Sequence, residues 1–173
     1  MNTLFVTGGA RSGKSRYAQG RIEAIPGTLA FIATAEAGDA EMAERIAHHR
    51  RNRGPRWVAF EAPVDLPDAI RRAQDRADAI LVDCLTLWVS NLMLQQRDID
   101  ASFAALDAAL RECRVPLALV ANEVGLGIVP ANAMARRFRD LAGSLNQQVA
   151  QAAGEVVLVA SGLPLHLKAP ADR

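Results

Sequence analysis

The run Gly8-Gly9-Ala10-Arg11-Ser12-Gly13-Lys14-Ser15 places glycine, lysine and serine at the spacing G-x-x-x-x-G-K-[ST], directly after the apolar stretch Leu4-Phe5-Val6. Glycines let the backbone curl so that successive N–H groups converge on phosphate oxygens. At this spacing Lys14 reaches the β- and γ-phosphates of a nucleoside triphosphate, and the Ser15 hydroxyl ligates Mg²⁺. A helix that starts near Gly13 turns its positive end toward the same anion. The pattern predicts a triphosphate cradle. A glycine-rich turn with no nucleotide role is the bland alternative.

Other residues able to do chemistry stand at the ends of apolar runs. Asp83 closes Ala79-Ile80-Leu81-Val82, the usual setting for a carboxylate that holds Mg²⁺ through water. It also precedes an apolar helix, so an N-cap role is compatible. Glu123 follows Leu117–Ala121 and either orients a nucleophile, supports a metal's outer shell, or pairs with an arginine. Glu61 can accept hydrogen bonds from a ribose or base, or be a solvated edge carboxylate. Ala33, Thr34 and Ala35 end another run and join the candidate nucleotide contacts.

Two of the three histidines lie in Arg45-Ile46-Ala47-His48-His49-Arg50-Arg51-Asn52-Arg53. On a helix, Met42, Ile46 and His49 share one face, whereas His48 follows Glu44 and Arg51 on a more polar one. Arginines clamp phosphates in fork geometry, and a neutral imidazole among them can attack phosphorus. A solvated basic helix end is the alternative, since cations suit the negative pole of the helix dipole. His166, among Leu163, Pro164, Leu165 and Leu167, is given no role.

These residues need a scaffold. Short apolar runs alternate with longer amphipathic stretches, the pattern of a parallel sheet with crossover helices. Strands are predicted at Leu4–Val6, Leu29–Ala33, Trp57–Phe60, Ala79–Asp83, Leu117–Ala121 and Val156–Ala160. Helices are predicted at Lys14–Ile22, Ala40–Arg51, Leu66–Ala73, Leu87–Gln95, Ala101–Cys113 and Asn132–Ala153, with Asp39 and Asp100 as N-caps. Ligands in such folds sit beyond the carboxyl ends of the strands. That rim holds Gly8–Ser15, Ala33–Ala35, Glu61, Asp83, Asn122-Glu123 and Ser161-Gly162.

Length, 173 residues, suits one α/β domain, drawn over residues 1–168 with a mobile tail at 169–173. A formal net charge of +1 gives no general attraction to nucleic acid or anionic membrane. Cys84 and Cys113 lack metal-ligand spacing and are expected to pack as small apolar residues. No apolar run approaches the roughly 18 residues of a membrane span, and the expected location is cytoplasmic.

The strings Gly8-Gly9-Ala10-Arg11-Ser12-Gly13-Lys14-Ser15-Arg16, Arg45-Ile46-Ala47-His48-His49, Asp83-Cys84-Leu85-Thr86-Leu87-Trp88 and Asn122-Glu123-Val124-Gly125-Leu126-Gly127-Ile128-Val129-Pro130 recur in one family. With Arg137-Phe138-Arg139-Asp140, Asn146-Gln147 and Ser161-Gly162-Leu163-Pro164, the chain resembles the bifunctional adenosylcobinamide kinase/adenosylcobinamide-phosphate guanylyltransferases along essentially its whole length. The resemblance implies a P-loop NTPase with a RecA-like core and a homotrimer. It implies phosphorylation of adenosylcobinamide by ATP or GTP, then transfer of GMP from GTP to that phosphate with release of pyrophosphate. It also implies a covalent GMP–histidine intermediate. The nucleophile then falls on the His48-His49 pair, with His48 preferred, Arg50 or Arg51 neutralising the triphosphate, and Mg²⁺ as cofactor. A P-loop kinase of another small metabolite, with no guanylyltransfer, is the nearest rival, and a nucleotide-dependent binding switch is a more distant one.

Overall fold

Strands buried on both faces read as apolar runs without alternation, and three such runs form the middle of the sheet. The computed structural model describes residues 3–35 and 54–169. Its strands are β1 (Thr3–Gly8), β2 (Leu29–Ala33), β3 (Trp57–Glu61), β4 (Ala79–Asp83), β5 (Leu117–Asn122), β6 (Glu155–Ala160) and β7 (Leu163–Lys168). Its helices are α1 (Lys14–Glu23), α2 (Leu66–Gln74), α3 (Leu85–Leu94), α4 (Ile99–Glu112) and α5 (Ala133–Ala152). They build one sheet of order β3-β2-β4-β5-β1-β6-β7. Every neighbouring pair is parallel except β6 with β7.

Successive side chains of a strand point to opposite faces, which divides the core in two. Leu4, Val6, Ala79, Leu81, Ala118 and Val120 pack against Ala18 and Ile22 of α1. Phe5, Ile80, Val82, Leu119 and Ala121 pack on the other face against Leu66 and Ile70 of α2, Leu85 and Trp88 of α3, Leu106 and Leu110 of α4, and Leu145 and Val149 of α5. Trp88 is wholly buried, stacked on Phe103 at 6.1 Å between ring centroids. A buried indole must satisfy its N–H, and Nε1 donates to the Val64 carbonyl at 2.6 Å. Both cysteines are free thiols, Cys84 buried and Cys113 half-buried.

The six expected strands form within two residues of their expected ends. β7 was not expected. It pairs antiparallel to β6 across the two-residue turn Ser161–Gly162, with Ala160 opposite Leu163. Both turn residues are left-handed, at φ 52° and 82°, as a tight hairpin requires. Pro164 is tolerated because β7 is an edge strand.

Asp100 is not the cap of α4. Asp98 is, its side chain accepting from the Ala101 N–H at 3.0 Å, and Asp100 lies in the first turn instead. The helix expected at Ala40–Arg51 and its Asp39 cap lie outside the described residues. No described helix is long and apolar enough to cross a membrane.

Candidate active site

Parallel strands end on one edge, so the residues singled out at strand ends meet there. Ala33 is level with Glu61 on one side and with Asp83 on the other. Asp83 is level with Val120, and Gly8 with Asn122 two residues further along. One strand, β5, separates β1 from β4. At about 4.8 Å between strands and about 3.3 Å per residue along them, Gly8 and Asp83 stand about 12 Å apart between Cα atoms. Asp83 thus shares an edge with the loop that follows β1.

The loop between β1 and α1 is shaped by what lies behind it. A Cβ at Gly8 would collide with the Val159 carbonyl oxygen of β6, and would sit 2.7 Å from the Ser12 hydroxyl. Gly13, the N-cap of α1, has φ 96°, a conformation costly for any residue with a Cβ. Arg11 is also left-handed, at φ 55°. The result is a curled backbone. Lys14 is almost fully buried and its ammonium arches back to the Gly9 carbonyl at 3.1 Å. Ser12 is buried too, and its hydroxyl has no hydrogen-bond partner among the described residues. Gly9, Ala10 and Arg11 are exposed, and Ser15 is half-buried in the first turn of α1. A buried orphan hydroxyl, a buried ammonium and a helix N-terminus at one loop fit a polyanion. Ser15 and Asp83 supply hard oxygen donors, the type Mg²⁺ prefers while keeping water and phosphate ligands.

The neighbouring loops are fastened by side chains of α3, a role not foreseen from the motifs. Thr86 accepts from the Asn122 N–H at 2.6 Å. Asn91, buried, donates to the carbonyls of Thr34 at 2.7 Å and Pro63 at 2.9 Å. Thr34 is fully buried, and its hydroxyl donates to the Cys84 carbonyl at 2.7 Å while accepting from the Cys84 N–H at 2.9 Å. Its side chain thus holds the residue next to Asp83. Cys84, not Asp83, occupies the N-cap position of α3, so the capping alternative for Asp83 falls away. Burial, with the Asp83 charge adding to it, pushes the Cys84 thiol up to about 11, which keeps it protonated and unreactive.

Glu123 donates its N–H to the Gly8 carbonyl at 3.0 Å and accepts from the Gly125 N–H at 2.9 Å. Among the described residues its carboxylate forms no arginine pair, so that alternative is not realised there. His166 sits across the hairpin with Nδ1 3.4 Å from Glu155. His48, His49, Arg50 and Arg51 lie outside the described residues.

Residues 4–167 match a protein family described as cobinamide kinase / cobinamide phosphate guanyltransferase. The chain belongs to this family. It is 43% identical over 166 residues to the bifunctional adenosylcobalamin biosynthesis protein CobP of Pseudomonas aeruginosa, covering 94% of this chain and 95% of that protein. It is 43% identical over 180 residues to the bifunctional adenosylcobalamin biosynthesis protein CobU of Salmonella typhimurium, covering 95% and 99%. The protein of the same name from Escherichia coli is 41% identical over 180 residues, again covering 95% and 99%. Members of the cobinamide kinase / cobinamide phosphate guanyltransferase family are enzymes by name, and the mainly parallel α/β sheet seen here is the architecture expected for one.

Within this frame, two structural roles at the site were not foreseen, although most of the residues stand inside the quoted strings. The α3 fasteners are ordinary threonine, tryptophan and asparagine residues whose roles appear only once the strands are in register. The wall behind the phosphate loop is the end of β6 and its turn, which a Ser-Gly pair followed by alternating leucines could have signalled.

Proposed function

We propose that this chain phosphorylates the hydroxyl of adenosylcobinamide and then transfers GMP from GTP to the resulting phosphate, releasing pyrophosphate. The reading rests on the loop at the end of β1, where two glycines without room or conformation for a Cβ bring Lys14 and the start of α1 to one point. Family membership supplies the substrates, and the loop supplies the means of handling a triphosphate.

Phosphoryl transfer asks for positioning and charge neutralisation rather than covalent chemistry. Backbone N–H groups of Gly8–Ser15 would hold the phosphate oxygens, and Lys14 would follow charge onto the leaving oxygens. Mg²⁺ held by Ser15 and Asp83 would neutralise phosphate charge when bound. Ala33, Ala35 and Glu61 lie along the same edge and would bound the nucleotide, whereas Thr34, expected among these contacts, is fully buried and holds Cys84 instead.

Guanylyl transfer needs a nucleophile at the α-phosphate, which the loop does not contain. His48 is assigned that role. Its imidazole nitrogen bonds to the α-phosphorus while the bond to pyrophosphate breaks, with Arg50 or Arg51 balancing the charge. An oxygen of the substrate phosphate then attacks the same phosphorus, the N–P bond breaks and the imidazole is regenerated. A homotrimer belongs to the same proposal.

The test is incubation with GTP labelled at the α-phosphate, followed by denaturation. Label that is acid-labile and alkali-stable marks a phosphoramidate, and His48→Ala should abolish it. Wild-type protein that phosphorylates substrate yet never retains label would leave only a kinase. Label that survives His48→Ala but not His49→Ala would move the nucleophile by one residue.

A further inference from the structure

We propose that the Ser161–Gly162 turn braces the phosphate loop, and that Gly162 is a positioning residue for triphosphate binding in both reactions. This rests on the phosphate-loop reading above and adds to it a part contributed from the far end of the chain.

The hairpin turn lies against the loop from outside. Gly162 donates its N–H to the Ser12 carbonyl at 2.8 Å. A peptide group is planar and trans, so its C=O and N–H point in opposite directions. Holding the Ser12 oxygen outward therefore turns the Gly13 N–H inward, where a loop that binds an anion needs it. The contact is close. A Cβ on Gly13 would lie 3.3 Å from the Gly162 Cα, and one on Gly8 would strike the Val159 carbonyl at the end of β6. The left-handed backbone of Ser161 and Gly162 is what aims the Gly162 N–H at Ser12.

The brace is itself anchored. Arg21, in the last turn of α1, grips Glu155 at the start of β6 with bonds of 2.8 and 2.7 Å. Lys168 at the end of β7 donates to the carbonyls of Ala150, Gln151 and Ala153, where α5 ends. The helix that forms the cradle is thus tied to the hairpin at both of its ends. N–H groups fixed before the ligand arrives spare the ordering cost of binding.

Binding of GTP, ATP and inorganic tripolyphosphate, each with Mg²⁺, measured by titration calorimetry, tests this. Gly162→Pro removes the N–H and, because proline cannot take φ 82°, releases the turn that aims it. Gly162→Asn keeps it and tolerates the left-handed conformation. Losing that N–H···O bond should weaken all three ligands by at least about five- to tenfold in Gly162→Pro, with Gly162→Asn near wild type. Equal loss for tripolyphosphate identifies the phosphates as what the turn acts on. A loss confined to GTP and ATP, or Gly162→Pro binding like wild type while Lys14→Ala does not, would overturn the brace and leave the loop intact. Wild type that binds none of the three would remove the loop reading itself.

Because Gly162→Pro can also disturb folding, hydrogen exchange on wild-type protein supplies a second measurement. Coupling is reciprocal, so tripolyphosphate must slow exchange of the Gly162 amide by a similar factor of about five to ten. An amide that exchanges at the same rate with and without ligand overturns the proposal.

Discussion

Replacing Asn91 by leucine should loosen the site edge without touching a motif residue. The side chain is 8% exposed and donates to two carbonyls, Thr34 at 2.7 Å and Pro63 at 2.9 Å, so it joins the loops that follow β2 and β3. Leucine has similar bulk but no donor, which deprives two sheltered carbonyls of their bond. A buried polar group left unsatisfied costs about 1–3 kcal/mol, so the pair sums to about 2–4 kcal/mol after some gain from apolar burial. For a chain of this length each kcal/mol moves the thermal midpoint by about 2–4 °C, so the variant should melt about 5–15 °C below wild type. Calorimetric or circular-dichroism melts read this directly. The KM for triphosphate should also rise at temperatures where the variant is folded, because Thr34 sets the backbone beside Asp83. A midpoint within about 2 °C of wild type would show that the amide is not carrying those carbonyls.

Three further outcomes follow from the same geometry. Lys14→Ala should lower kcat/KM about a hundredfold or more in both the kinase and guanylyltransferase assays, and loss in one reaction alone would separate their triphosphate sites. Gly8→Ala drives a Cβ into the Val159 backbone, a clash no rotamer relieves; the expected cost is about 1–3 kcal/mol, read as a lower urea midpoint, and unchanged stability refutes the packing described. Arg21, by its hydrogen bonds, holds the Glu155 carboxyl below the usual range, so that pair contributes stability above about pH 4.3 and loses it as pH falls through the depressed folded-state value. The melting gap between wild type and Glu155→Gln should therefore be widest near neutrality and close in acid, and a gap constant with pH would contradict the assignment.

Five of the seven strands were legible because they are buried on both faces, and the edge strand β3 by its Trp57-Val58-Ala59-Phe60 run. Ala79–Asp83 and Leu29–Ala33 form at the expected bounds, since runs of Ile, Leu and Val with no polar break have no other way to be satisfied. β7 was not legible by that rule. Every residue of it is exposed, so its leucines obey edge pairing and not burial, and Pro164 argues against a strand unless the edge is known. The cap falls on Asp98, two residues before the expected Asp100, a shift within the usual uncertainty of helix ends. The phosphate loop was readable because its chemistry is local in sequence. Thr34, Thr86 and Asn91 were not, because their partners lie 50, 36 and 57 residues away, respectively.

That contrast bears on how a bifunctional site is built. A motif fixes which atoms can touch a triphosphate, whereas the distant fasteners fix how rigidly they are held. Transfer at the γ-phosphate and transfer at the α-phosphate demand different nucleophiles but can share one grip on the phosphate chain. In the described structure β6 and its turn lie behind Gly8 and Gly13, Glu123 is bonded to the Gly8 carbonyl, and Thr34 is bonded to Cys84 beside Asp83. None of these contacts contributes a nucleophile. Under the proposed function, a cradle held in this way would leave the choice of reacting phosphorus to whichever group approaches it, an imidazole at the α-phosphate of one GTP or a substrate hydroxyl at the γ-phosphate of another triphosphate.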